Sequence, residues 1–360
     1  MSRQESGDVA VTALGLISPV GLSAAATCAA LRASITRLQE HPSFLPRLPE
    51  PPLAEAEKAI VAPVPPFREP RSHVERLLEL AVPPMKELVA GARMARKDLA
   101  ATRFFFSLPS PNGGRPGLAS GQDFILPYFE RLAISPAEPP QLYREGHTGM
   151  FTALMNAVQA LRQGASRFCV LVGVESYLDQ ATLRWLDETW RLKSLRNIDG
   201  FIPGECASVV LLETARQAKA RGQPVLARIR SLGSATEERT IESDRLSSAR
   251  GLVQAIRSAV EAVPQPGPMW TICDLNGESY RAHEWGLAFT RMAELSGLQL
   301  QRVLWHPSDC IGDVGAASGG LYLAMVSRAF ARGYAPAARA LLWASASGGQ
   351  RTACVVEQPG

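Results

Sequence analysis

The sequence predicts an α/β protein in which two similar halves each stack strands against helices. Three observations carry this. Apolar strands alternate with helical stretches along all 360 residues, the pattern of mostly parallel or mixed sheets covered by helices. One helix, residues 150–161 (MFTALMNAVQAL), is apolar nearly all round, which places it in the centre of a large core. The order of elements around that helix then recurs in the second half of the chain.

In order, residues 8–17 (DVAVTALGLI) read as a strand ended by Ser18-Pro19, and residues 22–35 as an Ala-rich helix. Prolines crowd residues 41–70, so this stretch is expected to be an extended, largely irregular excursion, either a solvated loop or a partner-binding segment. Ser72-His73-Val74-Glu75 has the spacing of a capping box and starts a helix through Leu80. Pro83-Pro84 interrupts it, and a helix resumes to about Ala95. A strand follows at 102–108, a loop at 109–117 and a short helix at 124–133. Glu145-Gly146-His147-Thr148-Gly149 is a tight turn into the apolar helix. Residues 168–174 (FCVLVGV) form a strand buried on both faces, and 180–192 an amphipathic helix with Leu183, Leu186 and Trp190 on one side. The loop 197–205 leads to a strand at 207–213.

A second half begins with a strand at 224–232. It continues with a helix at 247–263, a strand at 270–275 and a helix from Ser279 to about 296. Strand 302–306, a Gly/Ala turn at 312–319, a helix through 332 and strands 339–344 and 352–357 complete it. The halves are assigned to residues 1–222 and 223–360. Their echo is visible in AVTALG near the start and RIRSLG near residue 230.

Composition narrows function by exclusion. Apolar content is 46%, charged content 20% and net charge only +4, with arginines dispersed, so nucleic acid is not an expected partner. There is no run long enough to span a bilayer and no signal-peptide core, so a cytoplasmic protein without membrane association is expected. The six cysteines lack any CxxC pair and suggest neither zinc nor disulfides. No metal and no cofactor is expected.

Certain segments carry a resemblance. VAVTALGLISPVG, the turn EGHTG with its apolar helix, Val172-Gly173-Val174-Glu175-Ser176, Asp199-Gly200-Phe201-Ile202-Pro203-Gly204-Glu205-Cys206-Ala207, Gly312-Asp313-Val314-Gly315-Ala316-Ala317-Ser318-Gly319 and Ser347-Gly348-Gly349 occur in that order over nearly the whole chain. Together they resemble the β-ketoacyl synthase branch of the thiolase-like superfamily. The resemblance implies a thiolase-like five-layer αβαβα sandwich of two duplicated halves. It implies a homodimer paired through the N-terminal half, with the strand around 104–106 contributing.

The family's Claisen condensation uses a cysteine at the buried helix start, its thiolate favoured by the dipole. Two histidines serve decarboxylation and the enolate. On the matching positions this sequence has Gly146, Asn276 and Asp313. A glycine cannot be acylated, and an aspartate opposes an enolate. The resemblance thus implies a degenerate member, incompetent for ketoacyl synthesis. It would act as an adaptor, scaffold or assembly factor, and such proteins are associated with bacterial type VI secretion effector loci. Two alternatives stand beside it. One is an enzyme that binds an acyl or pantetheine-type thioester and retains acyltransferase, hydrolase or decarboxylase activity. The other is a non-catalytic partner subunit of an active ketosynthase.

The candidate pocket comprises Gly146, His147, Glu205, Asn276, Glu278, Cys310 and Asp313. His147 is either a replacement base or a side chain hydrogen-bonded near a turn. Cys310 is either a relocated nucleophile or a buried thiol. Glu205 is expected to accept backbone N–H groups. Asn276, Glu278, His283 and Asp313 form either a new binding or hydrolytic site or the polar end of a capped helix.

Overall fold

The computed structural model describes residues 8–48, 57–66, 72–116, 120–243, 245–265, 267–292 and 298–360. The first half runs β1 (Val9–Ile17), α1 (Ala24–Arg32), a two-residue ribbon β2 (Gln39–Glu40) and β3 (Ile60–Val61), α2 (His73–Ala92), α3 (Arg96–Ala100), β4 (Arg103–Ser107), α4 (Gln122–Leu132), β5 (Gln141–Tyr143), α5 (Gly149–Arg162), β6 (Cys169–Ser176), α6 (Gln180–Glu188), β7 (Glu205–Thr214) and α7 (Ala215–Ala220). The second runs β8 (Ala227–Thr236), α8 (Arg250–Glu261), β9 (Gly267–Ile272), α9 (Ser279–Met292), β10 (Leu298–Trp305), α10 (Ser308–Ile311), α11 (Ser318–Ala331), β11 (Arg339–Ser345) and β12 (Gln350–Glu357).

Ten strands form one sheet in the order β10-β9-β11-β12-β8-β1-β7-β6-β4-β5. Reading outward from the middle, each half has the same pattern. Its first strand pairs antiparallel with its last, the last antiparallel with the fourth, and the remaining pairs are parallel. The halves join where β1 lies antiparallel to β8, over Val9↔Ile229, Ala10↔Arg228 and Val11↔Ala227.

Alternation along the strands builds the layers. Cys169 and Leu171 of β6, with Ala340 and Leu342 of β11, face a central core that contains α5 and α11. Val170 and Val172 turn the other way onto α2 and α4, while Leu341 and Trp343 turn onto α8 and α9. Helix, sheet, helix, sheet, helix is the five-layer thiolase-like architecture. The all-round apolar character of α5 and α11 follows from having sheet on both sides.

Several expectations are corrected. α2 is one helix that continues through Pro83 and Pro84. Each proline gives up the bond its own N–H would have made and crowds the carbonyl four residues earlier, a cost offset by the burial of Leu80, Ala81 and Met85 against β1. The three-residue β5 was not expected. It lies outside β4 and makes that strand internal: Phe104 and Phe106 pack edge-on against Phe129 and Tyr128 of α4 at 5.0 and 5.5 Å. The aromatic strand 104–106, expected at a dimer contact, is therefore core. The Pro-rich stretch contributes β3, which pairs antiparallel with β2 just ahead of the stretch, and 49–56 and 67–71 lie outside the described residues. The end expected for α9 near 296 also lies outside them.

Candidate functional site

Two equivalent turns face each other at the centre. The 3₁₀ turn Gly146–Thr148 leads into α5, and Gly315–Ala317 leads into α11. Gly146 sits at φ +57°, a left-handed conformation that glycine adopts without strain. The nearest atom a Cβ there would meet is Ser110 Cβ, at 3.8 Å. The strand-to-helix loop before α11 is pinned by Asp313 N–H donating to Ile202 O at 2.8 Å and Gly204 N–H donating to Asp313 O at 3.0 Å. This aims the Asp313 side chain at the start of α5.

Asp313 is the hub of a buried polar network. His147 Nε2 lies 2.8 and 2.9 Å from its two oxygens. Asn276 Nδ2 donates to Oδ2 at 2.7 Å and Gly315 N–H to Oδ1 at 2.8 Å. Asn276 also donates to Glu278 at 3.0 Å. Glu278 is gripped by both arms of Arg191, at 2.7 and 2.8 Å, and by Arg281 Nε at 3.2 Å. Arg281 donates further to Asp274 and the Ser345 carbonyl, and its Nη2 lies 3.4 Å from His147 Nδ1. A guanidinium can only donate. Nδ1 is therefore the acceptor, and Nε2 carries the proton directed at Asp313. Both nitrogens of His147 are committed to protein partners.

Burial disfavours charge on Asp313, but His147, Arg281 and Asn276 outweigh it and hold the carboxyl well below its usual range. Burial likewise opposes the charge on Glu278, and Arg191 and Arg281 reverse the effect. Burial also works against the Arg281 charge, yet Asp274, Glu278 and Asp313 keep it protonated. Three carboxylates, two guanidiniums and a histidine thus interlock where a pocket would open, with only Asp274 Oδ1 left without a partner among them. The space left in front of Gly146 is a cavity of about 30 Å³ walled by Arg115, Tyr177, Arg191 and Phe201 among others. A second of about 10 Å³ lies beside Asp274, Asp313 and Tyr322. Such volumes suit single waters.

The structure brings Gly146, His147, Asn276, Glu278 and Asp313 together. It sets three other candidates apart. Glu205 is buried and accepts Val64 N–H at 3.0 Å, Ser176 Oγ at 2.8 Å and two donors of Arg76 at 3.0 and 2.6 Å. Its work is to fasten α2 to β7. Cys310 lines a different cavity, and burial raises its thiol pKa. His283 faces Arg250 and Arg291 between α8 and α9. Sequence reasoning missed Asp274, Arg191 and Arg281 as members of the site, and Arg115, which grips buried Glu175 at 2.8 Å beside it. The signal for the arginines was present: two carboxylates, Asp274 and Glu278, at the end of a buried strand require cations.

No family model matches the sequence, and no curated protein matches it. Solved structures do match in shape. The ketosynthase domain KS7 of the oxazolomycin protein OzmH from Streptomyces albus JA3453 superposes with a TM-score of 0.77 at 17% identity, over 98% of this chain and 74% of that one. The ishigamide ketosynthase/chain length factor gives 0.79 at 15%, over 98% and 99%. A β-ketoacyl synthase from Burkholderia phymatum STM815 gives 0.71 at 16%, over 98% and 100%. The fold is therefore thiolase-like, as in these ketosynthase and chain-length-factor structures.

Proposed function

We propose that this ketosynthase-fold protein does not perform condensation and works as a non-catalytic adaptor, scaffold or assembly factor. The observation that carries the reading is the closed ionic network around Asp313. It fills the place where an acyl group and a malonyl partner would meet, and it leaves no nucleophile at the helix start and no uncommitted nitrogen on His147. A negative Asp313 opposes an enolate, and Gly146 offers no atom to acylate. The partner would be a protein, by resemblance an effector of a type VI secretion locus, and the chain would pair with itself along the β5 edge. The test is intact-mass analysis after incubation with acyl- and malonyl-thioesters, with His147→Ala as control. The expected result is an unmodified mass and unconsumed thioester. A stoichiometric adduct, or turnover that disappears in the control, would overturn the proposal.

The similarity to a ketosynthase/chain length factor pair favours a second reading, a partner subunit for an active ketosynthase. Native mass spectrometry of the chain mixed with a ketosynthase from the same source separates the two. A one-to-one complex supports the second reading, and a homodimer supports the first.

A further inference from the structure

Space for a ligand survives further along α11 from the closed site. A cavity of about 360 Å³ lies between α1, the end of β10, α10 and α11, within the size range of small-molecule pockets. Its walls include Leu31, Leu304, Trp305 and Met325, and the thiols Cys28 and Cys310. Burial pushes the Cys28 thiol up to about 12 and raises that of Cys310. Both are protonated at neutral pH and act as apolar lining rather than nucleophiles. Trp305 is held edge-on by Trp270 at 4.3 Å and lies 6.1 Å from the Tyr334 ring, which makes one wall aromatic.

Charge is the second, independent feature. Arg32 in the wall lies 4.2 Å over the Tyr334 ring. Among the described residues Arg32 forms no ion pair, and neither do Arg328 and Arg332, which also reach the Tyr334 phenol electrostatically. Of the acids nearby, Asp309 is in the wall but largely exposed and turned to His306 at 3.0 Å, and Glu87 accepts the Leu16 and Ala24 N–H groups at 3.0 and 2.9 Å.

We propose that this cavity binds a small amphiphilic carboxylate, its apolar body against Trp305, Leu31 and Met325 and its head group on the Arg32 guanidinium. The unpaired Arg32 guanidinium, at the exposed rim of the cavity, matches a negative head group, and the apolar part of the wall takes the body. The carboxylate also suits the planar fork of arginine.

Calorimetric titration with decanoate, decanol and acetate tests the assignment. Decanoate binds and shifts the Trp305 emission. Decanol binds at least roughly tenfold more weakly, the loss of a charge-assisted hydrogen bond, and acetate gives no heat. Arg32→Gln, at an exposed helix end, weakens decanoate to the level of decanol and leaves decanol unchanged. Leu31→Trp fills the cavity and abolishes both, with an unaltered far-ultraviolet circular dichroism spectrum. Equal affinity for decanoate and decanol would reduce the site to a greasy void and overturn the proposal. So would the absence of decanoate binding at millimolar concentration, or binding indifferent to both substitutions.

Discussion

At Gly146 the chain presents a helix start with nothing attached to it. There is room for a side chain, with 3.8 Å to the nearest atom, but at φ +57° an L-residue is strained by about 1–2 kcal/mol. Gly146→Cys is expected to fold with a loss of that size in urea denaturation. It should react with a thiol reagent, yet show no condensation, because Asp313 and Asn276 remain. Measurable ketoacyl formation by this variant would contradict the reading of the site. Arg281 is the more severe test of the network. Arg281→Met strands Asp274 in the interior, while Glu278 keeps Arg191, and breaking a buried pair in this way costs about 3–5 kcal/mol, readable in the same denaturation assay. The acid limb comes from the depressed carboxyls of Asp313 and Glu278. Their unfolded counterparts titrate near 4, so in that range the unfolded chain binds more protons and stability rises with pH. The contribution is fully present above about pH 5 and is lost as pH falls through the folded values. In Asp313→Asn the melting temperature should depend less on pH below about 5. An unchanged slope would show that Asp313 does not contribute. At this scale the sequence disclosed Gly146, Asn276 and Asp313, because motif positions can be matched one by one. Arg191 stayed hidden because its pairing with Glu278 across the fold leaves no local pattern, whereas Arg281, three residues after Glu278, could have been found from that spacing.

Among the elements, the short echo AVTALG and RIRSLG has a physical cause. It ends in Gly15 of β1 and Gly233 of β8, and both lie under a helix backbone. A Cβ on Gly15 would come within 1.8 Å of Pro84 O in α2, and one on Gly233 within 2.0 Å of Ala255 O in α8. The two glycines set how closely each outer helix approaches its sheet. Gly15→Ala and Gly233→Ala are each expected to cost about 1–3 kcal/mol by overpacking. Because they lie in different halves, the double variant should show the sum to within about 0.5 kcal/mol. Most strands and helices were legible from periodicity. α2 was not, since Pro83-Pro84 marks a break in isolation and burial against β1 decides otherwise. β5 was missed because three residues are too few to show alternation.

For the whole molecule, the central layer belongs to neither half. Leu154 and Leu161 of α5 share one core with Leu321 and Val326 of α11 and with strands from both sides. A chain stopped at residue 222 would expose that face. Expressed separately, 1–222 and 223–360 should be insoluble or molten, while co-expression should return a folded complex by circular dichroism. Two independently folded fragments would show that the core is divisible. The architecture was readable in outline because motif order and element order agree. The single sheet was not, because the β1–β8 pairing is fixed by tertiary packing between segments far apart in the chain.

The interlocked charges around Asp313 also resist piecemeal change. On the proposed reading, installing the ketosynthase pattern would take a cysteine at 146 and histidines at 276 and 313. Asp313→His alone would set an imidazole beside His147 and Arg281 and remove the anion that both face. Asn276→His alone would take away an amide that bridges two carboxylates. Each such step taken singly leaves a buried charge or donor without its partner, which is costly, so the network tolerates substitution only when several of its members change together.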